Sequence, residues 1–363
     1  MRLKSLKLEK YRNYESLNIN FDDTENITTI IGPNAQGKTN ILEAIYLLAL
    51  TKSFRAASHR ELIKWGDEYC RVTGHFLEDD RAKQLEIFLG NPPQPTKSFK
   101  INGVKTDNIN FIGNCQIVFF HPEDLNMLYL GPYLRRRYLD ILNLQVNPAY
   151  YAALRSYRKI LKQRNSLLKS IKEGIAQPQN LDIWDQQLTE QGEILIAERR
   201  TTGEYLNKEI SAIYSQISQG PDNIEVIYRP SLDGNETLTQ ALKNSREKDI
   251  KARFTTVGPH RDDLEFKLNA RPLAAHASRG EYRSLLLAVK LLELNYYQEK
   301  TGDPPILLLD DVFSELDQTR QRMLLESIRG YQTIITATHL EATIPGARII
   351  TTPCSIFQSI NDT

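Results

Sequence analysis

Cysteine is scarce in this sequence, and the three present, Cys70, Cys115 and Cys354, stand far apart with no CxxC spacing. That argues against a disulfide framework and against a zinc site, and it fits a reducing cytoplasm. A surplus of one charge is also missing: 46 Lys and Arg face 45 Asp and Glu, a formal net charge of +1. There is no global positive field, so any nucleic-acid surface has to be local. Long apolar runs are absent as well. Met1 to Tyr14 alternates Lys and Arg with single apolar residues and never offers the stretch that a signal peptide or membrane span needs. A soluble protein with no membrane partner is expected. No heptad pattern persists for the three or four repeats of a coiled coil, and no internal repeat stands out.

The chain has 363 residues, more than a single core usually fills, so two lobes or one lobe with a large insertion are expected. Period-two alternation from Leu3 to Leu8, repeated at Ile19 and Phe21, predicts an opening in antiparallel strands. Ile27 to Ile31 is an apolar, β-branched run ending at Gly32; Ile41, Leu42, Ile45, Leu48 and Ala49 follow at helical spacing, which gives strand, loop and helix. Arg71 to Phe76, Gln84 to Leu89, Ser98 to Asn102 and Gln116 to Phe120 read as further strands between turn residues. After Pro122 the composition shifts. Pro132 to Asn143 and Pro148 to Ile217 are charged and helically periodic, with a break at Gly174 to Asn180. Strand character returns at Ile224 to Tyr228 and Phe254 to Val257. The expected division is 1–122, a mainly helical insertion at 123–301, and 302–363.

Gly32-Pro33-Asn34-Ala35-Gln36-Gly37-Lys38-Thr39, followed by Asn40, matches G-x-x-x-x-G-K-[ST] between a predicted strand and a predicted helix. Small residues let such a loop curl its N–H groups around phosphate, and the following helix adds its positive end. Lys38 would reach the β- and γ-phosphates of ATP, and the Thr39 hydroxyl would hold Mg²⁺. Ile306 to Leu309 is a continuous apolar run typical of a buried parallel strand, and it ends in Asp310 and Asp311. Asp310 would complete the Mg²⁺ shell, while Asp311 would orient or deprotonate the attacking water.

Ser278, Gly280 and Glu281 open a helix rich in Leu, Ala and Val. Ser278 with Glu281 at the third position is a capping box, yet a helix start headed by Ser and Gly is also an anion site suited to a γ-phosphate presented by a second copy of the chain. Thr338 and His339 follow the β-branched strand Thr333 to Ala337, where His339 is the candidate γ-phosphate sensor.

These elements, in this order and with a helical insertion, resemble the ATP-binding-cassette ATPases and, within them, the SMC-like heads. Tyr11-Arg12-Asn13-Tyr14, Lys52-Ser53-Phe54-Arg55, Pro122-Glu123-Asp124-Leu125, Gly258-Pro259-His260-Arg261-Asp262-Asp263 and Asp310 to Asp317 narrow the resemblance to the bacterial RecF family over nearly the whole chain. The resemblance implies an α/β, P-loop ABC-type ATPase lobe with a mixed sheet plus an inserted, mainly helical lobe. It further implies an ATP-dependent homodimer, DNA binding at a single-strand gap or duplex junction, and work with RecO and RecR that places RecA on gapped DNA in recombinational repair and the SOS response. By matching position, Arg12 would touch nucleotide phosphate or base, Ser278 and Gly280 would act across the dimer, and Ser314 to Asp317 would link the two sites. Asp311 stands where many cassette proteins have Glu, which implies slow hydrolysis. Glu281 stands where Gln is usual. Gln116 is the candidate Q-loop glutamine, in surroundings that match poorly.

For DNA, the basic concentrations are Arg135-Arg136-Arg137, the group Lys159, Lys162 and Arg164, and Arg199-Arg200, with Tyr150, Tyr151 and Tyr157 interleaved. Such clusters would contact the backbone rather than read bases. Two other functions share the phosphate loop: the nucleotide-binding subunit of a membrane transporter, and a nucleotide-gated scaffold without turnover. The RecF-like segments outside the loop weigh against the transporter.

Overall fold

The computed structural model describes all residues except 22–24, 92–95, 233, 235, 339–346 and 353–363. Two compact units share the chain, Met1–Asp124 with Glu293–Thr363, and Leu125–Leu292. Composition puts the return to the first lobe after residue 301, whereas the division falls inside the helix Arg279–Thr301. That helix buries Leu285 to Val289 and runs on through Leu292 and Leu294, so it contains no polar break that composition could register.

In the first unit, the opening alternation becomes the strand Arg2–Tyr11, which pairs antiparallel with Tyr14–Asn20 on one side and Tyr69–Glu78 on the other. Leu3, Leu6 and Leu8 are all buried, although the first two are an odd three positions apart. A register shift between Leu3 and Ser5 reconciles them, since a bulge moves the side chains beyond it to the opposite face. Arg81–Gly90, Thr96–Ile101 and Val104–Thr106 complete a six-stranded antiparallel sheet.

A second sheet is parallel throughout. Its order is Arg348–Thr351, Ile27–Ile31, Thr333–Ala337, Ile306–Asp310 and Ile117–Phe120. Every residue of Ile306–Asp310 and Thr333–Ala337 is buried, as expected for inner strands covered on both faces. Because the strands run the same way, the residues that follow them gather at one edge, the place where such sheets carry ligand sites. The helix Lys38–Leu50 is buried on every face from Ile41 to Leu50, so it is fixed by the core rather than lying on it.

In the second unit the helices Pro132–Leu144 and Pro148–Lys172 each begin with proline, whose missing N–H costs nothing there. Asn147 caps the second by accepting the Tyr150 N–H. Gly174, at φ 75°, follows its end, and Leu181–Ser218 begins after a turn at Pro178–Asn180. Tyr150, Leu154 and Tyr157 pack with Leu188, Leu195 and Ile196, while Leu168 and Ile171 pack with Leu181; the two long helices are therefore antiparallel. Ile224–Arg229 pairs with Asp263–Leu268.

Phe254–Val257, expected as a strand, is irregular. Both the N–H and the hydroxyl of Thr255 donate to Asn165, and those of Thr256 donate to Asp249, at 2.7–2.9 Å. Side-chain partners have taken the backbone groups that a ladder would use. The strand lies further on, where Leu264, Phe266 and Leu268 alternate inward.

The same region surrounds Arg164, which has no exposed surface. Its Nε donates to Asp185 at 2.7 Å, and its Nη1 donates to Asp249 at 2.7 Å and to Thr255 at 2.8 Å. Arg164→Ala leaves the buried Asp249 without its cation, a change that costs about 3–5 kcal/mol for buried pairs. We expect an earlier urea transition in far-ultraviolet circular dichroism; an unchanged midpoint would contradict a supporting role for this group.

Candidate active site

The loop between Ile27–Ile31 and Lys38–Leu50 adopts a conformation that its small residues permit. Ala35 has φ 66° and Gly37 has φ 97°. A Cβ on Gly37 would come within 2.6–2.8 Å of the Asn13 side chain and the Tyr14 hydroxyl. At Gly32 it would meet Thr352 Oγ1 at 2.0 Å, because the end of the strand Arg348–Thr351 closes against it. Glycine is required at both positions, at Gly37 by backbone and neighbours together and at Gly32 by neighbours alone.

Lys38 Nζ donates to the carbonyls of Gly32 at 2.5 Å and Pro33 at 2.8 Å, which holds it across the loop mouth. Burial lowers its pKa, and the charges of Asp311 and Asp310 oppose that shift. Thr39 Oγ1 donates to Asp310 Oδ1 at 2.9 Å, and Thr336 Oγ1 donates to the same oxygen at 2.7 Å. Asp311 has φ 53° and donates its N–H to Thr336 Oγ1 at 3.1 Å. These groups line one cavity of about 380 Å³, together with Asn34, Ala35, Gly37, Asn40, Thr338 and His121.

The donors suit Mg²⁺. A hydroxyl and a carboxylate oxygen 2.9 Å apart are hard ligands already brought together. Among the described residues no group of three or more His, Cys, Asp or Glu could hold a metal unaided, and Mg²⁺ characteristically takes one or two protein ligands alongside substrate phosphates and water. Thr39 and Asp310 would be those ligands.

Not every expected residue faces this cavity. Gly32 and Pro33 act through the carbonyls that hold Lys38, and the Gln36 carbonyl accepts from Asn13 at 3.2 Å. Arg12 lines a wider, adjoining groove of about 1510 Å³. Its guanidinium binds Glu43 through Nε at 2.8 Å and Nη2 at 2.6 Å. Gln116 stands before the strand Ile117–Phe120, donating to the Gly113 carbonyl, and so at the opposite end from the cavity. His121, just past that strand, lines the cavity instead. His339 lies outside the described residues. In the second unit, Glu281 N–H donates to Ser278 Oγ at 3.3 Å and Ser278 N–H to the Glu281 carboxylate at 2.6 Å. The capping box is formed there, with Gly280 in the first turn of Arg279–Thr301.

Several basic residues expected at DNA are structural. Arg135 chelates Asp263 at 2.7 and 2.9 Å, Arg136 donates to the Asp262 carbonyl at 2.7 Å, and Arg164 and Arg199 are buried on aspartates. Tyr150, Tyr151 and Tyr157 belong to the core. A buried carboxylate needs a cation, and a charge count along the sequence cannot distinguish that use from a solvated one. Lys159, Lys162 and Arg200 remain exposed.

Glu43 is a site residue that the sequence did not single out. It is fully buried in the middle of a polar cluster. Burial pushes its carboxyl upward, but donation from Arg12, Arg55 and Ser53 outweighs this and brings its pKa down to about 2. A depressed carboxylate stabilises the fold above the ordinary value of 4.5 and loses that contribution as pH falls toward about 2. We expect Glu43→Ala to destabilise by about 3 kcal/mol at neutral pH, since two guanidinium groups lose their partner, and to flatten the acid limb of stability against pH. Denaturant titrations from pH 7 to pH 3 measure both effects.

A family model described as RecF/RecN/SMC N terminal domain matches residues 2–352. A DNA replication and repair protein RecF from Lachnospira eligens is 40% identical over 344 residues, covering 94% of this chain and 93% of that protein. The protein of the same description from Lachnoclostridium phytofermentans is 42% identical over 347 residues, with 94% of each covered. Among solved structures, the recombination mediator protein RecF-ATP of the RecFOR pathway superposes with a TM-score of 0.88 at 35% identity, over 96% of this chain and 95% of that one. An Smc head bound to the C-winged helix domain of ScpA covers 93% of this chain and 89% of its own at 17% identity and a TM-score of 0.53, a likeness of fold. With matches of this identity over almost its full length, the chain belongs to the RecF family of DNA replication and repair proteins.

Proposed function

We propose that the protein is an ATP-driven DNA-binding repair factor that pairs with a second copy when ATP is bound. The pair grips DNA by its backbone at a single-strand gap or duplex junction. In the cytoplasm it acts with RecR and RecO, and through them on RecA, as the pathway named for a 35% identical relative suggests. The observation that carries this reading is the meeting of Lys38, Thr39, Asp310, Asp311 and Thr336 on one cavity lined also by Asn34, Ala35 and Gly37 of the loop.

Each group has a task set by its chemistry. The loop amides and the start of Lys38–Leu50 receive the phosphates, and Lys38 draws the terminal one. Mg²⁺, held by Thr39 and Asp310, would screen the phosphate charge. Thr336 fixes the Asp310 carboxylate through its hydroxyl. Asp311 orients the attacking water, and being one methylene shorter than glutamate it makes turnover slow. His339 senses the γ-phosphate. Ser278 accepts one hydrogen bond within its capping box and keeps its own O–H, which together with the Gly280 backbone serves the γ-phosphate of the second copy. Lys159, Lys162 and Arg200 offer the exposed charge for phosphodiesters.

Sedimentation with ATP, ADP or no nucleotide, each with and without duplex DNA, tests this directly. A dimer is expected with ATP alone among the three, and a protomer that stays single at saturating MgATP and DNA would overturn the reading. Lys38→Ala should weaken ATP binding at least about tenfold, the order of one charge-assisted bond. Asp311→Asn should slow hydrolysis about 100-fold, as for loss of a general base, and leave a persistent ATP dimer; unchanged hydrolysis would favour a scaffold. DNA affinity of the ATP state should fall steeply between low and moderate salt.

A further inference from the structure

Trp65 is the most exposed large apolar side chain among the described residues, at 96%. It stands on the turn Lys64–Asp67, closed by the Asp67 N–H on the Lys64 carbonyl at 3.0 Å. Gly66 has φ 91° at the third position, where one class of tight turn needs glycine. The turn is pinned on both sides. The Lys64 N–H donates to the Lys10 carbonyl at 2.8 Å and the Arg12 N–H to the Leu62 carbonyl at 2.9 Å, while the Lys10 ammonium pairs with Asp67 at 2.5 Å. The backbone that carries Trp65 is therefore fixed while its indole stands in water, and an aromatic presented in this way offers a face to a partner.

The attachments of the turn lead to the phosphate loop. Asn13, next to Arg12, donates to the Gln36 carbonyl at 3.2 Å and accepts from Asn40 at 2.6 Å. Trp65 lines the groove of about 1510 Å³, and that groove meets the phosphate cavity at Asn40 and Arg55. A ligand with phosphates on Lys38 would have to pass these two side chains to enter it.

We propose that Trp65 is the base-stacking residue of the nucleotide site: the nucleobase lies in the groove against the indole, while Arg12 and Asn13 border it. The inference rests on the ATP reading above and extends it to a residue in no nucleotide motif. Stacking on an aromatic face is tolerant of base identity, so Trp65 contributes affinity for a base without selecting adenine over guanine.

The sequence has two tryptophans, so Trp184→Phe leaves Trp65 as the only indole reporter. In that background ATP, ADP and GTP should quench the fluorescence, and inorganic tripolyphosphate, which has no base, should not. Trp65→Ala should weaken ATP binding about tenfold, within the range for loss of one stacked base, and leave tripolyphosphate binding intact; Trp65→Phe should restore most of the affinity. Undiminished ATP affinity in Trp65→Ala, or fluorescence indifferent to ATP, would overturn the proposal. So would an equal loss of tripolyphosphate. Lys38→Ala separates the two readings: if it binds ATP normally the phosphate assignment fails, whatever Trp65 does.

Discussion

A single fully buried carboxylate organises the loop end of the first unit. Glu43 sits on the helix that follows the phosphate loop and receives Arg12 from the turn between the first two strands, together with Ser53 and Arg55 from the segment beyond the helix. Two stretches of chain, the Arg12 turn and the Ser53–Arg55 segment, are thereby tied to one helical turn. Burying a charge is unfavourable unless it is fully matched, so once Glu43 is enclosed the two guanidinium groups have little freedom to be elsewhere. Arg55 also reaches Asn40, and Asn40 reaches Asn13, which carries the constraint into the loop itself.

A second, smaller constraint acts at the edge of the parallel sheet. Asp310 takes two hydroxyl donors on one oxygen, one from the helix start and one from the neighbouring strand. That arrangement sets the carboxylate before any ligand arrives, so little reorganisation is asked of it later. Sheet register supplies the alignment, since Asp310 is paired directly with Thr336.

The legible parts of the sequence were those in which a local pattern has only one cheap structural solution. Gly32 to Thr39 between strand and helix could be read outright, as could the apolar run ending in Asp310 and Asp311, because the backbone geometry and the chemistry coincide in consecutive residues. Thr336 was hidden because its role depends on sheet pairing across 26 residues. Glu43 looked like any glutamate on a helix, and only burial reveals it. Arg135, Arg164 and Arg199 misled in the opposite direction, since their aspartates lie 128, 21 and 59 residues away. Phe254 to Val257 had strand composition but neighbours that claimed its backbone, and Gln116 had the right side chain at the wrong end of its strand.

Among the described residues, the strand Ile27–Ile31 finds its sheet neighbours only at Thr333–Ala337 and Arg348–Thr351. During synthesis the ribosome must therefore deliver some 300 further residues, a count that follows from this pairing, before the phosphate loop acquires its supporting sheet. The residues between Leu125 and Leu292 form a compact unit of their own and are free to consolidate while the earlier segment waits. Pairings this distant are slow to form and leave apolar strands uncovered in the interval. A nascent chain interrupted before these late strands lacks Asp310 and Thr336, so the cavity they share with Lys38 and Thr39 forms only in molecules whose translation has passed them.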